Sequence, residues 1–474
     1  MPTFTVVNII PRSLSGETNQ DSEPNLAVNP LNPLQIVASA FTPNPAGSGD
    51  APIYLSTDGG NTWLLQAIVP SDKMTADITI RFGGNGNLYA GTLRTPFTVF
   101  DSQGNPIPTL NILRTGNVLS GAAMDVLVTR TGAGVDQPYI QAASVGGSDV
   151  VFCGNNDFNQ SPQSANMDFS TDGANPVPPF KTTVVDVRAG AGDAPSIRPV
   201  IHEDGTVYGA FLSRISGTSD VTLRYNVVVV RDDNFAKTGP AFAALTDPGD
   251  GLAGKIVAQN RLIPFLSEPY LGQERIGSTL TITVDPRAGQ SGTVYVAWAD
   301  RVGANDYTIH LVRSSDQGRT WSGDLLTITN ATNPAVAING DGLVAFVYQQ
   351  LTGTFKPQKV SAANRWETHF RTSGDNGATW TDQILATTPA NQPPNPGPDG
   401  NVFLPYLGDY LHLMAVGQNF YGIFSANNTP NPANFPAGVT FQRNCDKTKH
   451  VLFDVDGKTP VDISIDPFFF KVTP

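Results

Sequence analysis

The chain has little cysteine and little histidine. Its 474 residues include two cysteines, Cys153 and Cys445, and five histidines at positions 202, 310, 369, 412 and 450. Two cysteines cannot build a disulfide framework; they make one bridge or remain two thiols. The histidines lack metal-ligand spacing, so no metal site is expected. No apolar run is long enough to cross a membrane as a helix. The stretch Met1-Pro2-Thr3-Phe4-Thr5-Val6-Val7 has neither the charged nor the apolar region of a secretory signal. The expectation is a soluble protein: cytoplasmic, exported without a cleaved signal, or a mature form whose signal has been removed. Basic runs are also missing. Lys and Arg number 29 against 41 Asp and Glu, a net charge of −12, which repels nucleic acid and anionic membranes. No G-x-S-x-G or phosphate-loop motif occurs, and no cofactor is implied.

Turn residues are abundant. The chain has 46 Gly and 38 Pro, yet 40% of it is hydrophobic. Many turns between short apolar segments predict an all-β fold. One turn is repeated almost verbatim: Ser56-Thr57-Asp58-Gly59-Gly60-Asn61-Thr62-Trp63, Ser314-Ser315-Asp316-Gln317-Gly318-Arg319-Thr320-Trp321 and Ser373-Gly374-Asp375-Asn376-Gly377-Ala378-Thr379-Trp380. The shared pattern is S-x-D-x-G-x-T-W. An Asp side chain accepts hydrogen bonds from backbone N–H groups just downstream, Gly supplies φ > 0, and Trp supplies a large apolar anchor. Ser170-Thr171-Asp172-Gly173 begins a degenerate fourth copy.

A second element precedes these turns: two alternating strands joined by a short Gly-rich turn, the hairpin signature. It starts near residues 23, 77, 137, 194, 281, 333 and 409. Each start opens a unit long enough for four strands with loops, as in a propeller blade. Seven blades are expected, with six as the alternative, spanning residues 1–450. An insertion is expected at about 232–277. The seventh unit has no Asp turn, and Phe4–Ile9 and Val439–Phe441 are candidates for its outer strands, which would close the ring and hide an edge. Residues 451–474 read as an extra C-terminal β-hairpin packed on the propeller, turning at Asp456-Gly457.

S-x-D-x-G-x-T-W is the Asp-box, or BNR repeat, and the chain resembles sialidase-like Asp-box β-propellers over residues 20–445. The resemblance implies that Asp58, Asp316 and Asp375 brace peripheral turns, with Trp63, Trp321 and Trp380 as blade anchors. It further implies three arginines gripping a sugar carboxylate, a Tyr–Glu nucleophile pair and an Asp acid/base. The family's Arg-Ile-Pro motif is absent; Ser196-Ile197-Arg198-Pro199 and Arg261-Leu262-Ile263-Pro264 come nearest. Six-bladed sialidases also differ from the seven units counted.

Chemistry is expected near the axis, on the innermost strands. Positions equivalent to Asn25 hold Thr79, Tyr139, Ser196, Thr281, Ala335 and Tyr410; those equivalent to Ala27 hold Arg81, Gln141, Arg198, Thr283, Ala337 and His412. Both sets share one strand face. Leu26, Ile80, Ile140, Ile197, Ile282, Val336 and Leu411 hold the other. On one reading Arg81 and Arg198 grip an anionic sugar, with Tyr139 and His412 beside them and Tyr270 reaching in from the insertion. Asp77, Asp409 and Glu23 then serve as acid/base candidates, with Tyr410 as nucleophile. On the other reading, the arginines only satisfy buried carboxylates or carbonyls between blades. Two kinds of function stay open: an exo-glycosidase acting on an acidic sugar in an axial pocket, or a non-catalytic glycan-binding or structural module that meets a protein partner through its rim or C-terminal tail.

Overall fold

In the computed structural model the described residues are 2–41, 49–95, 108–130, 135–157, 164–188, 197–217, 222–264, 280–302, 307–353, 361–393 and 406–474. Among them no α-helix occurs, and seven sheets of four or five strands hold nearly every strand. Blade 1 runs from its innermost strand outward as Ser22–Val28, Ile36–Phe41, Ile53–Ser56 and Leu64–Leu65. Blades 2 to 6 repeat that order from innermost strands Met74–Phe82, Val135–Val145, Arg198–Ile201, Leu280–Val284 and Ala331–Ile338. Blade 7 begins at His412–Val416. Each innermost strand packs on the next, and His412–Val416 packs on Ser22–Val28, so the ring is closed.

Alternation along the innermost strands builds the core, because successive side chains point to opposite faces. Leu26 faces blade 7 and Ala27 faces blade 2. Leu26, Ile80, Ile140, Ile197, Ile282, Val336 and Leu411 each enter a different apolar layer, between their own blade and the preceding one. Burying one such side chain stabilises by about 1.5–3 kcal/mol. A truncation such as Ile80→Ala costs about 2–5 kcal/mol with the cavity it leaves.

The three octapeptides are superimposable turns. Ser56 Oγ donates to Asp58 Oδ1 (2.8 Å) and accepts from the Gly60 N–H (2.9 Å). Asp58 accepts from the Thr62 N–H (2.9 Å) and the Thr62 hydroxyl (2.6 Å), and Trp63 Nε1 donates to the Gly60 carbonyl (2.9 Å). The same bonds recur around Asp316 and Asp375. Gly60 has φ 95°, and a Cβ there would lie 2.1 Å from the Phe469 ring. Trp63, Trp321 and Trp380 each pack toward the preceding blade.

Two expectations change. Residues 451–474 are not one added hairpin. Val451–Phe453 and Pro460–Val461 do pair across Asp456-Gly457, in a small sheet with Cys445–Asp446. Ile465–Thr473, however, is the third strand of blade 7, between Asn419–Asn427 and Thr3–Asn8. Thr440–Phe441 completes that blade beyond Thr3–Asn8. The alternation of Val461, Ile463 and Ile465 with Asp462, Ser464 and Asp466 ends where this strand begins, so it does not identify the partner the chain takes next. The 232–277 insertion is also partly blade: Lys255–Leu262 is the outer strand of blade 4. Cys153 and Cys445 are both thiols.

Candidate functional site

The site begins with a repeated irregularity. The innermost strands of blades 1, 2, 3 and 6 each slip register near their start, between Ser22 and Asn25, Thr75 and Ile78, Asp136 and Tyr139, and Thr332 and Ala335. In three of them the bulge residue precedes a proline and holds positive φ: Glu23 (51°), Gln137 (49°) and Asn333 (56°). A non-glycine residue in that region costs of order 1–3 kcal/mol and persists only when its surroundings fix it. Two of these bulges clamp the segment leading into blade 7. Asn333 Nδ2 donates to the Gly408 carbonyl (3.0 Å), and the Asp409 N–H points to Glu23 Oε1 (3.4 Å). Gly408 has φ 110°, and a Cβ there would meet the Glu23 backbone nitrogen at 2.3 Å.

That clamp places three oxygen-bearing side chains together. The Tyr406 hydroxyl contacts Asp409 Oδ1 at 2.8 Å and donates to Glu23 Oε1. All three residues are buried. Tyr406 was not among the residues nominated from sequence, because it lies ahead of the strand rather than on it. A signal existed: Pro-Tyr-Leu-Gly occurs twice, at 269–272 and 405–408, each shortly before an innermost strand.

Asp409 lines a narrow cleft of about 20 Å³, room for little more than a water molecule, together with Tyr139, Arg198, Asn333, Tyr410 and His412. The Arg198 guanidinium lies 4.4 Å from the Tyr139 ring centre and 5.5 Å from that of Tyr410, and the two rings meet edge to face at 6.4 Å. Hairpin register explains the grouping. Arg198 stands three residues before the pair Ile201–Val207, as Asn25 stands before Val28–Ile36 and Thr79 before Phe82–Leu88. Arg198 is therefore level with Asn25, not with Arg81 as the strand comparison predicted. The Tyr410 hydroxyl has no hydrogen-bond partner among the described residues. Burial, then the charges of Glu23 and Asp77, hold its proton well above the usual phenol range. Asp77 is half-buried in the blade 2 bulge.

His412 lines this cleft, and Arg81 stands beside it. Arg81 reaches from blade 2 toward blade 7, where its Nη1 lies 3.4 Å from Met414 Sδ. His412 is 5% exposed, and its Nδ1 has no partner among the described residues. Burial and then Arg81 push His412 down to about 3, so it is neutral near pH 7. Part of the polar face is structural. Asn25 Oδ1 accepts from the Ile80 N–H (3.0 Å), while the Thr79 hydroxyl accepts from the Ile140 N–H (2.9 Å) and donates to the Pro138 carbonyl (3.0 Å). These side chains stitch blade 1 to blade 2 and blade 2 to blade 3.

The structure thus brings Asp409, Tyr139, Tyr410, Arg198 and His412 around one cleft, with Glu23 behind Asp409, Asp77 close enough for its charge to act on Tyr410, and Arg81 beside His412. Tyr270 lies outside the described residues. Asp58, Asp316 and Asp375 occupy turns far along their blades from the innermost strands. Among the described residues, no group of three or more His, Cys, Asp or Glu is arranged to hold a metal.

Fold and cleft together define an all-β propeller with a polar, aromatic-lined axial site. No protein-family model matches the sequence, and no curated protein does. Solved structures do resemble the fold. A protein of unknown function from Dyadobacter fermentans has 11% identity and a TM-score of 0.45, with 86% of this chain and 96% of that chain covered. An α-L-arabinofuranosidase from Fusarium graminearum has 12% identity and a TM-score of 0.43, covering 73% and 93%. A leech intramolecular trans-sialidase has 11% identity and a TM-score of 0.41, covering 76% and 69%. At these values the likeness carries no argument about activity, and the propeller rests on its own sheets.

Proposed function

We propose that this protein is a sialidase-like glycoside hydrolase whose axial cleft takes an acidic sugar, and that its three octapeptide turns are Asp-boxes. The observation that supports the reading is the Tyr406 hydroxyl held by Glu23 beside Asp409, which itself lines a cleft shared with Arg198. A phenol becomes a nucleophile when an adjacent base takes its proton. Glu23 is placed to do so for Tyr406, which makes Tyr406 a better nucleophile than Tyr410, whose hydroxyl contacts no base. In this scheme the phenolate oxygen bonds to the anomeric carbon as the glycosidic bond breaks. Asp409 gives the leaving oxygen a proton, then takes one from the water that releases the sugar. Asp77 is the alternative acid, and Arg198 faces the sugar carboxylate.

The test is a panel of fluorogenic glycosides of acidic and neutral sugars. Turnover of an acidic glycoside is expected, falling by about 10²–10⁴ in Tyr406→Phe, Glu23→Gln and Asp409→Asn. Wild-type turnover that survives in Tyr406→Phe and Glu23→Gln would sink the assignment. One observation favours a second reading, a non-catalytic glycan-binding propeller: Arg198 is enclosed between two tyrosine rings. Binding on a glycan array without turnover of any panel member is the outcome that reading expects.

A further inference from the structure

Buried cations are ordinarily matched by a carboxylate, because an uncompensated charge in a low-dielectric site is costly. Arg81 breaks that rule. It lies half-buried beside the axis, and among the described residues its one hydrogen-bond acceptor is the Met414 thioether, a weak one. Its other N–H donors face no carboxylate. Beside Met414, two residues back on the same strand face, stands His412, nine-tenths buried with Nδ1 unpartnered. A neutral imidazole can present an N–H at that nitrogen. The neighbourhood therefore offers several donors, one formal positive charge and no matching acceptor.

We propose that Arg81 and His412 form a binding site for a small monovalent inorganic anion of the halide class, on the wall of the cleft that Asp409 also lines. Charge balance selects a monovalent ion, since a single guanidinium stands against a neutral histidine. Size selects a small one: the cleft that His412 lines has room for little more than a water molecule, about 20 Å³. Such an ion would satisfy the guanidinium and the His412 N–H together and tie blade 2 to blade 7 across blade 1. The inference does not depend on the hydrolase reading, since it is read by binding with no sugar present.

The experiment compares chloride with bulky methanesulfonate at constant ionic strength. Thermal unfolding should shift upward saturably with chloride, as expected for a ligand that binds the native state alone. The ³⁵Cl resonance should broaden on adding protein. Both effects should vanish in Arg81→Met and weaken about tenfold or more in affinity in His412→Leu, which removes one hydrogen bond to a charged ligand. Bromide anomalous scattering from wild-type crystals supplies a readout that needs no variant to fold: a peak is expected within hydrogen-bonding reach of Arg81 and His412 Nδ1. Equal stability in the two salts with no ³⁵Cl broadening would overturn the proposal, as would broadening that persists in Arg81→Met or a bromide map with no peak at Arg81.

Discussion

The Tyr406 hydroxyl lies 2.8 Å from Asp409 Oδ1 while it donates to Glu23, so one phenol stands between two buried carboxyl groups from opposite ends of the chain. Asp409 belongs to the lead-in of blade 7, and Glu23 to the strained bulge that opens blade 1. The hydroxyl sets a hydrogen-bond donor between two like groups.

Removing it should cost stability as well as any turnover. Tyr406→Phe removes a buried hydrogen-bond donor from two carboxyl groups, an expected loss of about 1–3 kcal/mol. Urea unfolding measures it. A midpoint equal to that of the wild type would mean that the hydroxyl does not hold the cluster together.

A larger effect is expected where blade 7 is fastened. Arg443 and Asp466 are fully buried and paired at 2.9 Å, and Arg443 also donates to the carbonyls of Ser15 and Glu17 (2.7 Å each). Arg443→Met takes the counter-ion from the Asp466 carboxylate, to which Asn8, Asn428 and Ser464 still donate, at a cost of about 3–5 kcal/mol. The double variant Arg443→Met/Asp466→Leu should recover part of that loss in the same denaturation assay. Recovery of none of it would show that the pair's charges are not what matters there.

The Asp turns should weaken in acid. The Thr379 hydroxyl, then the Thr379 N–H and Ser373, hold Asp375 down to about 2 from an ordinary 3.8. A carboxyl with a depressed folded value stabilises above its unfolded value, and that stabilisation is lost as pH falls through the folded one. The melting temperature should therefore fall between about pH 4 and pH 2, less steeply in Asp375→Asn. Identical acid limbs in the two proteins would contradict this.

His412 has its own window. Its folded value of about 3 lies below the ordinary 6.5, so between those values the unfolded chain binds a proton that the folded chain excludes. Stability should decline as pH falls through that range, by up to about 1.4 kcal/mol per pH unit from this one group. His412→Leu should flatten the slope measured by chemical denaturation at pH 6 and pH 4. A slope left unchanged by the substitution would place the proton elsewhere.

Much of the fold was legible because it is written locally. Alternation around Leu26, Ile80 and their counterparts, and the identical chemistry of Asp58, Asp316 and Asp375, need no knowledge of distant residues. What was missed is non-local. The alternation of Val461, Ile463 and Ile465 with Asp462, Ser464 and Asp466 runs into Ile465–Thr473 without saying whether that strand forms a hairpin arm or the middle of blade 7. Arg198 was placed two residues out of register because its blade's opening residues differ from those of the others. Asn25 and Thr79 read as cleft residues, yet their partners are backbone groups of the next blade, which a side-chain pattern cannot reveal. Tyr406 sits off the strand, where comparing strand positions does not look.

The strand Ile465–Thr473 also sets an order of events. It pairs with Thr3–Asn8, from Thr3 against Thr473 to Asn8 against Phe468. During synthesis the N-terminal strand must wait, unpaired on that side, while blades 1 to 6 are made. Closing a loop of that length is slow, because its entropy is lost before any contact is gained. Blade 7 is therefore expected to be the last part of the molecule to form, and the candidate site, which borrows Glu23 from one side of that seam and Tyr406 and Asp409 from the other, to be assembled only when the seam closes.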